Sequence, residues 1–64
     1  MLVNGKEVAL EGPCSVSDLL ASLDYDSNRV AVLLNGAVLP KAAFAETLVQ
    51  SEDALEVVQF VGGG

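Results

Sequence analysis

Apolar and polar residues alternate at the start of the chain in a way that predicts a β-hairpin. Met1–Val3 is apolar, Asn4-Gly5 follows, and apolar and polar residues then alternate over Lys6–Glu11. Asn-Gly readily adopts the two positive φ angles of a type I′ turn, which joins antiparallel strands. The pattern therefore predicts an N-terminal hairpin in which Val8 and Leu10 face the core.

A short amphipathic helix is predicted next. Ser15 stands three residues before Asp18, which is the spacing of a hydroxyl N-cap with an acidic residue in the first turn. The apolar residues then recur at intervals of three and four, and they form one stripe: Val16, Leu19, Leu20 and Leu23. We expect a two-turn helix that lies on a sheet.

The second half of the chain has the pattern of a hairpin followed by one further strand. Val30–Leu34 is an uninterrupted apolar run that suits a central strand. Asn35-Gly36 repeats the turn signal, and Ala37–Leu39 is expected to pair back before a proline. Residues 41–46 are expected to form a short helical turn, and residues 54–61 the last strand.

This order of elements predicts an α+β fold, with a mixed sheet of four to five strands packed on one helix. Residues 1–61 would form this single domain, and residues 62–64 a flexible glycine tail. One helix covers one face of a sheet, so the other face is expected to meet water or a partner.

The last strand indicates which side chains lie on that open face. Glu56 is expected to face solvent because a buried, unpaired carboxylate is very costly. Alternation then places Val58 and Phe60 on the same outer face, and Val57 towards the helix. We interpret Phe60 as a docking residue. Val58 fits docking and cover by another loop equally well, and Leu33 is expected to extend the same patch.

The final residues, Gly62, Gly63 and Gly64, follow this strand directly. Glycines bury no side chain and lose more backbone freedom on ordering than other residues, so they do not serve stability. They provide a thin ribbon that ends in an unhindered carboxylate, suited to a narrow channel in another protein. A frayed end or a residual linker is the alternative. The apolar strand before the tail favours the Gly64 carboxylate as the reactive group.

Composition and charge exclude several classes of function. The chain has 64 residues and a net charge of −6, with only three basic side chains, so nucleic acid and anionic membranes are improbable partners. A basic protein surface would attract it. No signal peptide or membrane-spanning run is found, so the cytoplasm is the expected location. Small size and high charge favour a monomer.

The sequence predicts neither a catalytic site nor a metal site. There is no histidine and only one cysteine, Cys14, so the chain can build no thiol–imidazole pair and no usual zinc site. We expect Cys14 to pack rather than to react. The carboxylates are scattered without catalytic or ligand spacing, and a domain this small leaves no room for a deep pocket. The chain is therefore expected not to be an enzyme.

The whole chain resembles the sulfur carrier proteins of bacterial thiamine-thiazole synthesis, a ubiquitin-like β-grasp family. The more specific segments are Asn35–Pro40 and Phe60–Gly64. Further segments that carry the resemblance are Val3–Lys6, Val16–Leu20, Val30–Leu34, Lys41, Glu52-Asp53 and Val57–Gln59.

The resemblance implies a cycle of reactions at Gly64. An E1-like enzyme would use ATP and magnesium to adenylate its carboxylate, and sulfur from a cysteine desulfurase, through a persulfide, would replace AMP. Thiazole synthase would then accept sulfur from the thiocarboxylate. The chain itself would be a carrier that binds no cofactor stably. The alternatives are the small subunit of molybdopterin synthase, a modifier that forms isopeptide bonds, and a passive interaction module.

Overall fold

The computed structural model describes residues 1–60. This part of the chain contains one α-helix, seven short strands and two 3₁₀ turns. The strands are β1 (Leu2–Val3), β2 (Lys6–Glu7), β3 (Cys14–Ser15), β4 (Val30–Leu34), β5 (Ala37–Leu39), β6 (Leu48–Val49) and β7 (Ala54–Gln59), the helix is α1 (Val16–Ser22), and the 3₁₀ turns are Ser27–Arg29 and Lys41–Ala43. Within residues 1–60, no helix has the length and apolar character needed to cross a membrane.

Five of the strands form one mixed sheet in the order β2-β1-β7-β4-β5. The central pair β1 and β7 is parallel, and the other neighbours are antiparallel. The predicted mixed sheet with one helix is therefore confirmed. A second, two-stranded ladder joins β3 to β6, with Cys14 opposite Val49 and Ser15 opposite Leu48, and it was not predicted.

Both predicted Asn-Gly hairpin turns are present. The residues at 4–5 have φ angles of 51° and 80°, and those at 35–36 have φ angles of 51° and 84°. Each pair closes a two-residue loop between antiparallel strands. Positive φ at both positions is the mark of a type I′ turn, whose twist matches that of the strands.

Helix α1 begins and packs as the sequence predicts. The Oγ of Ser15 accepts a hydrogen bond of 3.0 Å from the N–H of Asp18 and so caps the helix. Val16 and Leu20 are fully buried, and Leu23 is half-buried. The helix packs on the inner face of the sheet, in a single apolar core of Met1, Val3, Val16, Leu19, Leu20, Val30, Val32, Phe44, Val49, Leu55 and Val57.

Two predicted strand boundaries need correction. Strand β2 ends at Glu7 instead of Glu11, because β1 begins at Leu2 and offers no strand residue for further pairing beyond the bond from Val8 N–H to Met1 O (2.8 Å). Strand β7 starts at Ala54 as predicted and ends at Gln59. The predicted end of this strand and of the domain, residue 61, lies outside the described residues.

Candidate functional site

Strand β7 turns alternate side chains to the two faces of the sheet, as predicted. Leu55 and Val57 are buried against the helix, with exposures of 1% and 7%. Glu56 is exposed, and Val58 and Phe60 are 51% and 59% exposed. Glu56, Val58 and Phe60 therefore lie on the outer face, and within residues 1–60 no loop covers Val58.

Neighbouring strands extend this apolar surface. Val58 lies opposite Ala31 of β4, and Leu33 lies between Glu56 of β7 and Val38 of β5. Leu33 is half-buried, whereas Val38 is 76% exposed and is a member that sequence reasoning missed. We call this surface the outer patch, formed by Ala31, Leu33, Val38, Val58 and Phe60.

Charged residues border the outer patch. The exposed Glu56 lies beside Leu33, on the side of the patch away from Phe60. At the other end, Phe60 N–H donates a 2.8 Å hydrogen bond to the carbonyl oxygen of Arg29. The Arg29 Nε atom is 3.7 Å from an oxygen of Asp26, and both side chains are more than half exposed. The patch is therefore bordered by Glu56 at one end and, at the other, by the backbone of Arg29, whose side chain lies near Asp26.

The predicted reactive residues, Gly62, Gly63 and Gly64, lie outside the described residues. Phe60 precedes Gly62 by two positions, and its bond to Arg29 keeps it in line with β4. Residues 1–60 contain no group of three or more Cys, Asp or Glu side chains arranged to hold a metal ion. Cys14 is half-buried and packs against the core, in agreement with the packing interpretation.

The side chain of Asn4 bonds to β7 directly, and sequence reasoning did not find this contact. Its Oδ1 accepts from the N–H of Val57 at 2.8 Å, and its Nδ2 donates to the carbonyl of Val57 at 3.2 Å. The same Nδ2 is 3.5 Å from the hydroxyl of Tyr25. The amide therefore continues the sheet by one position after β1 has ended. The two residues are 53 positions apart, and the local pattern around Asn4 shows only a turn.

Asn35, in the second hairpin turn, makes similar contacts at the start of β7. Its Oδ1 accepts from the N–H of Ala54 at 2.9 Å, and its Nδ2 donates to Asp53 at 3.0 Å. The other Asp53 oxygen accepts from the N–H of Gln50 at 2.8 Å. The bond from Asn35, and then that from Gln50, lower the pKa of Asp53 below its usual value, because both stabilise the charged carboxylate.

The sheet order and, within residues 1–60, the one helix packed on the inner face of the sheet are those of a ubiquitin-like β-grasp domain. The fold is similar to the crystal structure of a thiamine biosynthesis protein (ThiS) from Geobacter metallireducens, with a TM-score of 0.82, 41% identity, and coverage of 98% of this chain and 96% of that one. The ThiS family model matches residues 1–64. The chain therefore belongs to the ThiS family, which confirms the predicted resemblance.

Two further relatives bear on function. The chain is 35% identical over 63 residues to the sulfur carrier protein ThiS of Bacillus subtilis, which covers 97% of this chain and 96% of that protein. It is 39% identical over 64 residues to a thiazole synthase of Paramagnetospirillum magneticum, which covers all of this chain but only 20% of that protein. A segment similar to the whole chain is thus one part of a longer synthase.

Proposed function

We propose that this chain is a sulfur carrier in thiamine biosynthesis and that the carboxylate of Gly64 carries the sulfur. The observation that carries the proposal is the match of the ThiS family model to every residue of the chain, including the glycines at 62–64. The Bacillus subtilis relative, which is similar along almost its whole length, supports it. In this role the chain is a co-substrate of other enzymes.

The chemistry starts from the low reactivity of a carboxylate, which is anionic and has no good leaving group. On an E1-like enzyme, an oxygen of the Gly64 carboxylate attacks the α-phosphorus of magnesium-bound ATP, and pyrophosphate leaves. The resulting acyl-adenylate is neutral at the carbonyl and has AMP as its leaving group. A persulfide derived from a cysteine desulfurase displaces AMP, and a thiol then cleaves the S–S bond to leave the thiocarboxylate. Glycine gives the reacting carbonyl no Cβ to hinder this attack.

Thiazole synthase is the proposed acceptor of the sulfur. The Paramagnetospirillum magneticum relative supports this assignment, because a segment similar to the whole chain is joined to a thiazole synthase in one protein. Such a covalent link raises the effective concentration of two parts that must meet. Where the two parts are separate proteins, a docking surface would have to supply the same encounter.

The outer patch is the proposed docking surface for both partners. Its exposed Val38, Val58 and Phe60 provide an apolar centre, and aromatic residues are common anchors in interfaces. The net charge of −6 favours partners with a basic surface around their apolar contact. The patch ends at Phe60, two positions before the glycine tail, so a partner bound there would contact the chain four residues before the reactive carboxylate.

Intact mass spectrometry tests the proposal. We expect incubation with ATP, magnesium, the adenylating enzyme, a cysteine desulfurase and cysteine to give the mass increase of one oxygen replaced by one sulfur, located at Gly64. The variant Cys14→Ser is the matched control, because a persulfide on Cys14 would instead add a whole sulfur atom. Deletion of Gly63 and Gly64 should abolish the increase, and survival of thiamine prototrophy in that deletion strain would refute carrier function.

The other candidate functions give different results. A molybdopterin synthase subunit would capture the large pterin subunit in a pull-down, and a thiazole carrier would capture thiazole synthase. A modifier would form protein conjugates on denaturing gels, whereas a dedicated carrier would not. A passive module would show no change of mass at Gly64.

A further inference from the structure

Strand β7 is longer than β1, the strand that supports it on one side. Pairing between them covers Leu2 with Ala54 and Val3 with Leu55, and β1 then ends in the turn at residues 4–5. On the β1 side, Val57 would therefore expose its N–H and C=O. The Asn4 amide takes both groups, with bonds of 2.8 and 3.2 Å.

We propose that Asn4 is a positioning residue for the tail, an inference that rests on the proposed function. Among residues 1–60 its amide makes the last hydrogen bonds on the β1 side of β7 before the chain reaches Phe60. In the described part of the chain, the backbone contacts beyond Val57 lie on the other side of β7, where Gln59 pairs with Val30 of β4 and Phe60 N–H bonds to the carbonyl of Arg29 in the turn before β4. Asn4 thus holds the C-terminal half of β7 on the β1 side, in the segment that leads to the tail.

Asn35 provides a matched comparison within the same chain. It has the same residue type, the same turn type and the same φ of 51°, and its amide also bonds to the backbone of β7. Its contact is at Ala54, however, about 20 Å along the strand from Phe60, whereas Val57 is about 10 Å away. Loss of either amide should weaken the sheet, but only loss of the Asn4 amide should release the end that leads to the tail.

The test compares Asn4→Gly with Asn35→Gly in the loading reaction with the adenylating enzyme. Glycine keeps the positive φ that each turn needs and removes only the amide. For Asn4→Gly we expect kcat/KM for the carrier to fall at least about fivefold, because each of the two lost bonds to Val57 corresponds to a factor of about two to twelve. The decrease should lie mainly in kcat, because Leu33 and Val38 of the outer patch are held by β4 and β5. For Asn35→Gly we expect kcat/KM to stay within about twofold of wild type.

Hydrogen exchange and a conservative variant separate positioning from general stability. In Asn4→Gly the backbone N–H groups of Val57 and Phe60 should exchange faster than in Asn35→Gly, when each variant is measured the same number of degrees below its own melting temperature. Asn4→Asp keeps the acceptor for the Val57 N–H and loses the donor, so its kcat/KM should lie between those of wild type and Asn4→Gly. It replaces Asn4→Gly in the comparison if that variant does not fold.

The outcomes distinguish this proposal from the function on which it rests. Equal losses of kcat/KM in the Asn4 and Asn35 variants, or wild-type kinetics in Asn4→Gly, overturn the positioning role while the carrier function stands. A wild-type protein that is never loaded with sulfur overturns the carrier function, and the positioning role with it.

Discussion

Adjacent residues of β7 allow one substitution to test both the fold and the docking surface. Val57 is 7% exposed and faces the core, and Val58 is 51% exposed and lies in the outer patch. The two have the same side chain and share one strand. We therefore expect Val57→Asp to unfold the protein, and Val58→Asp to leave it folded but weaken partner binding.

The magnitudes follow from burial. In Val57→Asp, about 1.5–3 kcal/mol of apolar burial is lost. The new carboxylate would lie opposite the buried Val32 without a partner, which costs several kcal/mol more. A domain of 64 residues has a total free energy of unfolding of roughly 3–10 kcal/mol. The Val57→Asp protein should therefore be largely unfolded.

Val58 is half exposed, so Val58→Asp removes only about half of the free energy of burying a valine side chain, or about 1 kcal/mol. The melting temperature should therefore fall by about 4–8 °C, and the protein should stay folded. At a docked interface the same carboxylate would be desolvated beside Phe60. We expect the KM for the carrier in the loading reaction to rise at least about tenfold, which corresponds to about 1.4 kcal/mol.

Thermal unfolding followed by far-UV circular dichroism measures the first effect, and steady-state loading by the adenylating enzyme measures the second. Equal destabilisation by the two substitutions would show that the outer face is packed. A folded Val58→Asp protein with a wild-type KM would show that partners bind elsewhere.

Four further substitutions test single features. Ser15→Ala removes the helix cap and should lower the free energy of unfolding by about 1 kcal/mol in chemical denaturation; no change would mean the cap is dispensable. The hydrogen bond from Asn35 lowers the pKa of Asp53 below its usual 3.8 in the folded protein. The Asp53 carboxylate therefore stabilises the fold fully above pH 3.8, and this stabilisation is lost as the pH falls through the lower folded-state pKa. The melting temperature of Asp53→Asn should therefore fall less in acid than that of wild type, and an identical dependence of the two melting temperatures on pH would contradict this. Phe60→Asp should weaken partner binding without unfolding, whereas global unfolding would place Phe60 in the core. Val38→Asp should raise the loading KM at nearly constant melting temperature, and an unchanged KM would remove β5 from the docking surface.

Features of the fold that depend on local sequence were predictable. The turns at residues 4–5 and 35–36 need positive φ angles that Asn-Gly supplies, and the cap at Ser15 needs only a hydroxyl next to the first turn. The ladder of β3 with β6 was not predictable. Its strands have two residues each, which is too short for an alternating pattern, and tertiary packing alone brings them together.

The same distinction applies to the site. Glu56 marks the outer face of β7, so alternation identified Val58 and Phe60. Strand β5 consists of Ala37, Val38 and Leu39, and no polar residue marks its outer face, so Val38 was missed. The amide contact of Asn4 depends on the parallel pairing of the two ends of the chain, which no local pattern encodes.

The hairpin turns are also sites of slow chemical degradation. An asparagine followed by glycine loses its amide easily, because the unhindered glycine nitrogen can attack the side chain and form a succinimide that hydrolyses to aspartate or isoaspartate. Here Asn4 and Asn35 both precede glycine, and the amides at risk are those that bond to β7 or to the turn before it. Deamidation should therefore proceed mainly when these hydrogen bonds are broken. The rate of deamidation at each asparagine in a stored sample then measures how often that turn opens.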